Sequence, residues 1–121
     1  MKTILVVDDS ALIRKAIRRI LEPLGYSVEE AANGVEALTQ LESGGSFDAM
    51  LLDVEMPELD GLSTLRELRS RGDLPQLPVI MCTTHNSAAT ITAAIEAGAN
   101  EYIMKPFDGG IVGAKLEGVG V

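Results

Sequence analysis

The chain has 121 residues, of which 46% are hydrophobic and 23% charged, and its formal net charge is −8. This length allows one domain with a hydrophobic core of useful size, so we expect a single domain over residues 1–121. The acidic balance argues against a general nucleic-acid binder, because the phosphate backbone requires a basic face. It is compatible with a cation held among carboxylates.

The sequence also predicts where the protein acts. Its one cysteine, Cys82, cannot form an intramolecular disulfide and fits a reducing compartment. No apolar run approaches the roughly 20 residues that a membrane-spanning helix needs. The opening MKTILVVDDS turns acidic too soon for a signal peptide. We therefore expect a cytoplasmic protein without a membrane anchor.

Short apolar runs predict five strands. TILVV has no polar alternation after Thr3, which is typical of a strand covered on both faces, and VIMCT is a second such strand. YSVEEAA is a weaker signal. In chain order the predicted strands are TILVV (3–7), YSVEEAA (26–32), FDAMLLD (47–53), VIMCT (79–83) and YIM (102–104).

Amphipathic stretches between these runs predict helices. The first follows Ser10, a candidate N-cap, and its isoleucines and leucines recur at helical spacing until Pro23 and Gly25 end or tighten it. Further helices are expected over about 35–41, over about 62–70, and from a cap at Asn86 or Ser87 to Gly98. Strands and helices that alternate in this way predict a doubly wound α/β domain, with a five-stranded parallel sheet and helices on both faces.

The end of the chain, DGGIVGAKLEGVGV, combines helical spacing of apolar residues with five glycines between residues 109 and 120. Each glycine inside a helix costs about 1 kcal/mol relative to alanine. We therefore expect a last helix over about 109–119 that is frayed or needs tertiary contacts to form.

Polar residues stand where the predicted strands end. They are Asp8 and Asp9 after the first strand, Asp53 at the end of the third, Thr83 and Thr84 at the end of the fourth, and Lys105 after the fifth. Ligands of open parallel α/β sheets bind outside the carboxyl ends of the strands, so these side chains should line one crevice. Lys105 alone cannot neutralise three carboxylates, and hard oxygen ligands without histidine or cysteine suit Mg²⁺.

Such a crevice is suited to form and stabilise an aspartyl phosphate. Asp53 is the expected nucleophile, because it alone projects from the central strand between the other groups. Lys105 and the metal would neutralise charge on the transferring phosphoryl group, and Thr83 would hydrogen-bond one of its oxygens.

The motifs LVVDDS, LLDVEMPELDG, IMCTT and MKPF resemble, in order and at matching spacing, the receiver domain of two-component response regulators, of the CheY-like single-domain type. The resemblance runs from residue 3 to about 108 and implies a flavodoxin-like sheet. It also implies that Asp53 accepts a phosphoryl group from a phosphohistidine of a sensor histidine kinase or phosphotransfer protein.

The resemblance implies roles for individual residues. Asp9 would bind Mg²⁺ directly and Asp8 through water or alongside it, together with Asp53 and the backbone carbonyl of Glu55. Pro57 and Gly61 would shape the loop after the acceptor.

Four residues would govern the signal itself. Thr83 and Tyr102 would act as the switch when Asp53 is phosphorylated. Glu55 and His85 would tune the lifetime of the phosphoryl group by controlling access of water.

The expected protein is a signalling switch that catalyses only its own phosphorylation and dephosphorylation, and that changes its partner-binding surface. We expect a monomer before phosphorylation and an output through an unidentified partner protein. Roles in chemotaxis, in a phosphorelay, as a phosphate sink or as the receiver of a larger regulator stay open. The family often uses its fourth helix, fifth strand and fifth helix for output, and here the glycine-rich last helix has only Lys115 as a cation.

Two other classes share parts of this pattern. A phosphatase that forms an aspartyl phosphate typically has an Asp-x-Asp pattern after its first strand and needs a substrate cap. A flavin binder needs a phosphate-cradling loop where this chain has Asp8 and Asp9.

The first helix also has a group of basic residues, Arg14, Lys15, Arg18 and Arg19. This group is either a solvated face or a docking surface for an acidic partner.

Overall fold

The computed structural model describes residues 1–56, 59–84 and 87–121. Its centre is one parallel sheet of five strands in the order β2-β1-β3-β4-β5. The strands are β1 (Thr3–Val7), β2 (Ser27–Ala31), β3 (Ala49–Asp53), β4 (Val79–Thr83) and β5 (Glu101–Met104). The predicted doubly wound α/β fold is therefore confirmed, and the strand limits differ from the predicted ones by no more than two residues.

Five α-helices connect and follow the strands. They are α1 (Ala11–Leu21), α2 (Gly34–Glu42), α3 (Gly61–Ser70), α4 (Ala88–Glu96) and α5 (Gly109–Gly118). Each begins after a residue whose side-chain oxygen accepts a backbone N–H three positions on, namely Ser10, Asn33, Asp60, Ser87 and Asp108. As the sequence predicts, helix α1 tightens into a 3-10 turn over Glu22–Leu24 around Pro23, and this turn ends at Gly25, whose φ is +96°.

The sheet separates two hydrophobic clusters, and this explains the uninterrupted apolar runs of the strands. Along β1, Leu5 and Val7 face the cluster beneath α2, α3 and α4, whereas Ile4 and Val6 face the cluster beneath α1 and α5. Both faces of the strand are thus covered, as the sequence of TILVV predicts. No helix in the described part of the chain is long and apolar enough to cross a membrane.

Helix α5 forms despite its glycines because it buries two large side chains. Val112 and Leu116, one helical turn apart, are both 0% exposed in the cluster that α5 shares with α1. On another side of the helix, Lys115 pairs with Glu101, at 3.2 Å between Nζ and Oε1. These contacts supply the tertiary support that the glycine-rich sequence predicts to be necessary.

Replacing Gly113 in the middle of α5 by alanine should stabilise the domain by about 1 kcal/mol, because the backbone entropy cost of glycine is removed. An added Cβ would lie 3.6 Å from Leu24 Cδ1, an ordinary contact. Urea unfolding measures the change.

Gly25→Ala is the matched control for this substitution. An added Cβ at Gly25 meets nothing within 4 Å, but its φ is +96°, so the backbone should make the alanine destabilising by about 1–2 kcal/mol. Destabilisation by Gly113→Ala would contradict this account of α5, and stabilisation by Gly25→Ala would show that the positive φ at that turn is not costly for alanine.

Candidate functional site

Lys105 joins two carboxylates that lie at the ends of different strands. Its Nζ is 2.7 Å from Asp8 Oδ2 and 2.9 Å from Asp53 Oδ1. Asp8 and Asp53 are only 3% and 7% exposed. The sequence predicts that a cation faces Asp53, and the structure places the Lys105 ammonium there.

Asp9 completes a cluster of carboxylates around this pair. One carboxylate oxygen from each of Asp8, Asp9 and Asp53 lies within 4.8 Å of the other two, and Asp9 is exposed to solvent. Carboxylates alone make up this cluster among the described residues, and hard oxygen donors of this kind suit Mg²⁺. Since three negative charges face one ammonium group, the residues fit a divalent cation.

The burial of this cluster changes its acid–base properties. Burial raises the pKa of Asp53, and the negative charges of Asp8 and Asp9 raise it further. The hydrogen bond and positive charge of Lys105 lower it, but the pKa remains raised overall. Burial alone would lower the pKa of Lys105, but its hydrogen bonds to Asp8 and Asp53 outweigh that effect and raise it. The lysine is therefore held charged, and the ionised form of Asp53 is only partly compensated.

Backbone contacts around Gly61 tie the start of α3 to the end of β3. The Gly61 N–H donates to the carbonyl of Val54 at 3.0 Å, and the Val54 N–H donates to the carbonyl of Cys82 at the same distance. A Cβ at position 61 would collide with the carbonyl oxygen of Asp53. A glycine thus allows the first turn of α3 to approach the end of β3.

Two of the predicted switch and tuning residues lie beside the carboxylates. Thr83, only 3% exposed, and the exposed Glu55 line the same cavity as Asp53 and Lys105. Thr84 lies on this cavity as well and is exposed. His85 and Pro57, for which the sequence predicts roles at this site, lie outside the described residues.

Tyr102 lies on β5 and is not among the residues that line this cavity. Its half-buried ring packs against the cluster beneath α2, α3 and α4. Lys115 Nζ lies 5.6 Å from the ring centroid, within the range of a cation–π contact. The one cation of α5 is therefore engaged with β5, through both Tyr102 and Glu101.

An apolar groove extends from the carboxylates along α1, and sequence reasoning missed it. The cavity has a volume of about 500 Å³ and is bounded by Ile13, Ile17 and Ile20 of α1 and by Phe107 after β5. The helical spacing of these isoleucines was visible in the sequence, but it only indicated a buried stripe. Part of this stripe lines the cavity instead of being fully buried, because of how α1 packs against the segment after β5.

Replacing Asp53 by asparagine should stabilise the metal-free domain at neutral pH. Folding raises the pKa of Asp53, so its ionised form opposes folding, and this penalty disappears as the pH falls through the raised pKa and the carboxyl is protonated. The gain at pH 7 should exceed the roughly 0.5 kcal/mol that ordinary surface substitutions cause, and should shrink toward acidic pH.

Urea unfolding of both proteins between pH 4 and pH 8, in the presence of a chelator, measures this gain. Asp48→Asn serves as the control, because Asp48 is also replaced by its isostere but lies before β3, where its Oδ2 accepts the Thr3 N–H at 2.8 Å. A destabilised Asp53→Asn, or equal effects at the two positions, would show that Asp53 is not under-compensated.

Comparison with known proteins places this geometry in a family. A sequence model described as the response regulator receiver domain matches residues 4–116. The chain is 49% identical over 104 residues to the response regulator MprA of Mycobacterium avium (strain 104), and 48% identical to MprA of Mycobacterium ulcerans (strain Agy99). Each match covers 86% of this chain and 44% of the relative, so the chain spans less than half the length of these proteins.

Solved structures agree with the sequence matches. The chemotaxis protein CheY4 of Vibrio cholerae superposes with a TM-score of 0.89 at 33% identity, over 98% of both chains. A CheY-like receiver domain protein from Methanospirillum hungatei JF-1 gives 0.85 at 34% identity, over 98% of this chain and 92% of that one. This chain belongs to the response regulator receiver domain family of two-component systems.

Proposed function

We propose that the domain is a phosphorylation-activated switch in which Asp53 accepts a phosphoryl group from a phosphohistidine. One observation carries this proposal. The Asp53 carboxylate lies at the end of the central strand β3, with the Lys105 ammonium at 2.9 Å and the carboxylates of Asp8 and Asp9 beside it. A nucleophile with a fixed cation and a fitting site for a second cation is the arrangement that phosphoryl transfer requires.

In the transfer, a carboxylate oxygen of Asp53 forms a bond to phosphorus while the phosphorus–nitrogen bond of the phosphohistidine breaks. The bonding electron pair stays on the imidazole nitrogen. Lys105 balances negative charge on the phosphoryl oxygens, and the Thr83 hydroxyl donates a hydrogen bond to one of them. The carboxylates of Asp8, Asp9 and Asp53 and the backbone carbonyl of Glu55 would hold Mg²⁺, which supplies further positive charge to the phosphoryl group.

Phosphorylation would shift a pre-existing equilibrium rather than create a new fold. The phosphoryl group on Asp53 favours the state in which Thr83 and Lys105 bind it. Tyr102 follows this change on β5, so that the surface made by α4, β5 and α5 differs between the two states. Glu55 and His85 would set how long the phosphoryl group survives by controlling the access of water.

The chemistry at this site implies two kinds of partner. The donor is a sensor histidine kinase or a phosphotransfer protein, and the recipient of the signal is an output protein that reads the changed surface. We propose that residues 1–121 act as one receiver domain in the cytoplasm and that the unphosphorylated form is a monomer. Similarity to CheY4 is compatible with a role in chemotaxis, and similarity to MprA with the receiver of a larger regulator.

Intact mass spectrometry after incubation with acetyl phosphate tests this proposal. In the presence of Mg²⁺ the wild type should gain the mass of one phosphoryl group, and a chelator should abolish the gain. Asp53→Asn should gain nothing, because the nucleophile is absent, whereas Asp48→Asn should behave like the wild type.

Two results would contradict the proposal. A phosphoryl adduct on Asp53→Asn would move the acceptor to another residue. Failure of the wild type to gain mass or to bind beryllofluoride, under conditions in which the domain is folded, would show that the assembled site does not accept a phosphoryl group.

A further inference from the structure

Two arginines of α1 turn toward β2 rather than toward solvent. Arg14 Nε lies 2.9 Å from Glu30 Oε1, and Arg18 Nη2 lies 2.8 Å from Glu30 Oε2. One carboxylate thus holds two guanidinium groups. The solvated or docking face that the sequence suggested for α1 is therefore reduced to Lys15 and Arg19, which are exposed.

Arg14 makes one contact that Arg18 does not make. Its Nη1 donates to the backbone carbonyl of Asp8 at 2.6 Å. Nη1 of Arg18 instead donates to the carboxylate of Glu22, four residues further along the chain. The side chain of Arg14 is 16% exposed and that of Arg18 is 34% exposed. Of these two arginines that bind Glu30, only Arg14 also contacts a residue of the candidate metal site.

The contact from Arg14 is one of four hydrogen bonds that hold the backbone and the carboxylate of Asp8. The Asp8 N–H donates to the carbonyl of Ala31 at 3.1 Å, and its Oδ1 accepts the Ser10 N–H at 2.9 Å. Its Oδ2 accepts from Lys105, and its carbonyl accepts from Arg14. Because Ala31 directly follows Glu30 on β2, the end of β1 is held from two sides by the same short segment.

We propose that Arg14 is a positioning residue for the carboxylate cluster. Braced by Glu30, it holds the Asp8 backbone so that the Asp8 carboxylate points at Lys105 and Asp53, and so that Asp9 stands beside it. This inference rests on the proposed function only in so far as the cluster binds Mg²⁺. The link between Arg14 and the orientation of Asp8 itself does not require the metal.

The guanidinium group is suited to this role because its N–H groups point in fixed, different directions. Nε of Arg14 is directed to Glu30 and Nη1 to the Asp8 carbonyl. A lysine at this position keeps the charge but cannot form both bonds in a fixed geometry. Loss of such an outer partner of a metal site typically lowers metal affinity by about 10–100-fold.

A purely electrostatic role and a positioning role of Arg14 predict opposite effects of its removal on cation binding, which makes the proposal testable. If Arg14 acted only as a nearby positive charge, removing it would favour a cation among three carboxylates. If it positions Asp8, removing it should weaken the binding of the cation. Arg14→Met and Arg14→Lys separate the loss of charge from the loss of geometry, and Arg18→Met removes a charge from the same pair of arginines without touching Asp8.

The experiment measures two quantities on the wild type and these three variants, at a temperature well below their melting points. The first is the Mg²⁺ dissociation constant, from backbone amide shifts in NMR titrations. The second is the hydrogen-exchange rate of the Ser10 amide in the absence of metal, relative to the Met50 amide, which donates to the Pro78 carbonyl in the sheet. The Met50 amide reports overall stability, so the ratio isolates local loosening at Asp8.

Both Arg14 variants should bind Mg²⁺ about 10-fold more weakly than the wild type, and their Ser10 amide should exchange faster relative to Met50. Arg18→Met should bind Mg²⁺ as tightly as the wild type or more tightly, with an unchanged exchange ratio. Equal behaviour of Arg14→Met and Arg18→Met in both measurements would overturn the proposal.

If the wild type itself binds no Mg²⁺, the proposed function fails at its metal site. The exchange ratio then still decides the positioning role. A faster Ser10 amide in the Arg14 variants supports that role, and an unchanged ratio refutes it.

Discussion

Lys105 places one ammonium group between the carboxylates of Asp8 and Asp53, and the rest of the site is arranged around this contact. The lysine follows the edge strand β5, whereas Asp8 follows β1 and Asp53 ends β3, both on the other side of β4. A single side chain therefore spans the carboxyl ends of the sheet. Because both carboxylates are buried, their charges must be compensated, and Asp9 brings a third charge to the same place. Three carboxylates therefore face one ammonium group, and the resulting excess of negative charge fits a divalent cation.

Much of this arrangement follows from local signals in the sequence. The apolar runs of β1, β3 and β4 are buried along their length apart from Thr3, and Ser10 and Ser87 cap α1 and α4 at positions that the sequence predicts. Parallel strands present their carboxyl ends at one edge of the sheet. The proximity of Asp8, Asp53 and Lys105 could therefore be predicted from the sequence. Even the glycine-rich α5 could be predicted, including its need for the tertiary contacts that Val112 and Leu116 provide.

The parts that could not be predicted depend on contacts between elements. Arg14 and Arg18 appear in the sequence as charges on an amphipathic helix, and nothing local shows that Glu30 of β2 lies opposite them. The bond from Arg14 to Asp8 is even less visible, because its acceptor is a backbone carbonyl. The groove along α1 and the contact of Lys115 with Tyr102 likewise result from how the helices pack on the sheet. Roles for Thr83, Tyr102, Glu55 and His85 rest on family resemblance and remain proposals.

The most direct test of this account is the pKa of Asp53, followed by NMR of its ¹³C-labelled carboxyl group during a pH titration. Without metal, the carboxyl should titrate above the ordinary range of aspartate, because burial and the neighbouring carboxylates outweigh Lys105. Saturating Mg²⁺ should shift the titration to lower pH, since the bound cation favours the ionised form. A carboxyl that titrates at or below its ordinary value without metal, and that does not respond to Mg²⁺, would contradict an under-compensated acceptor site.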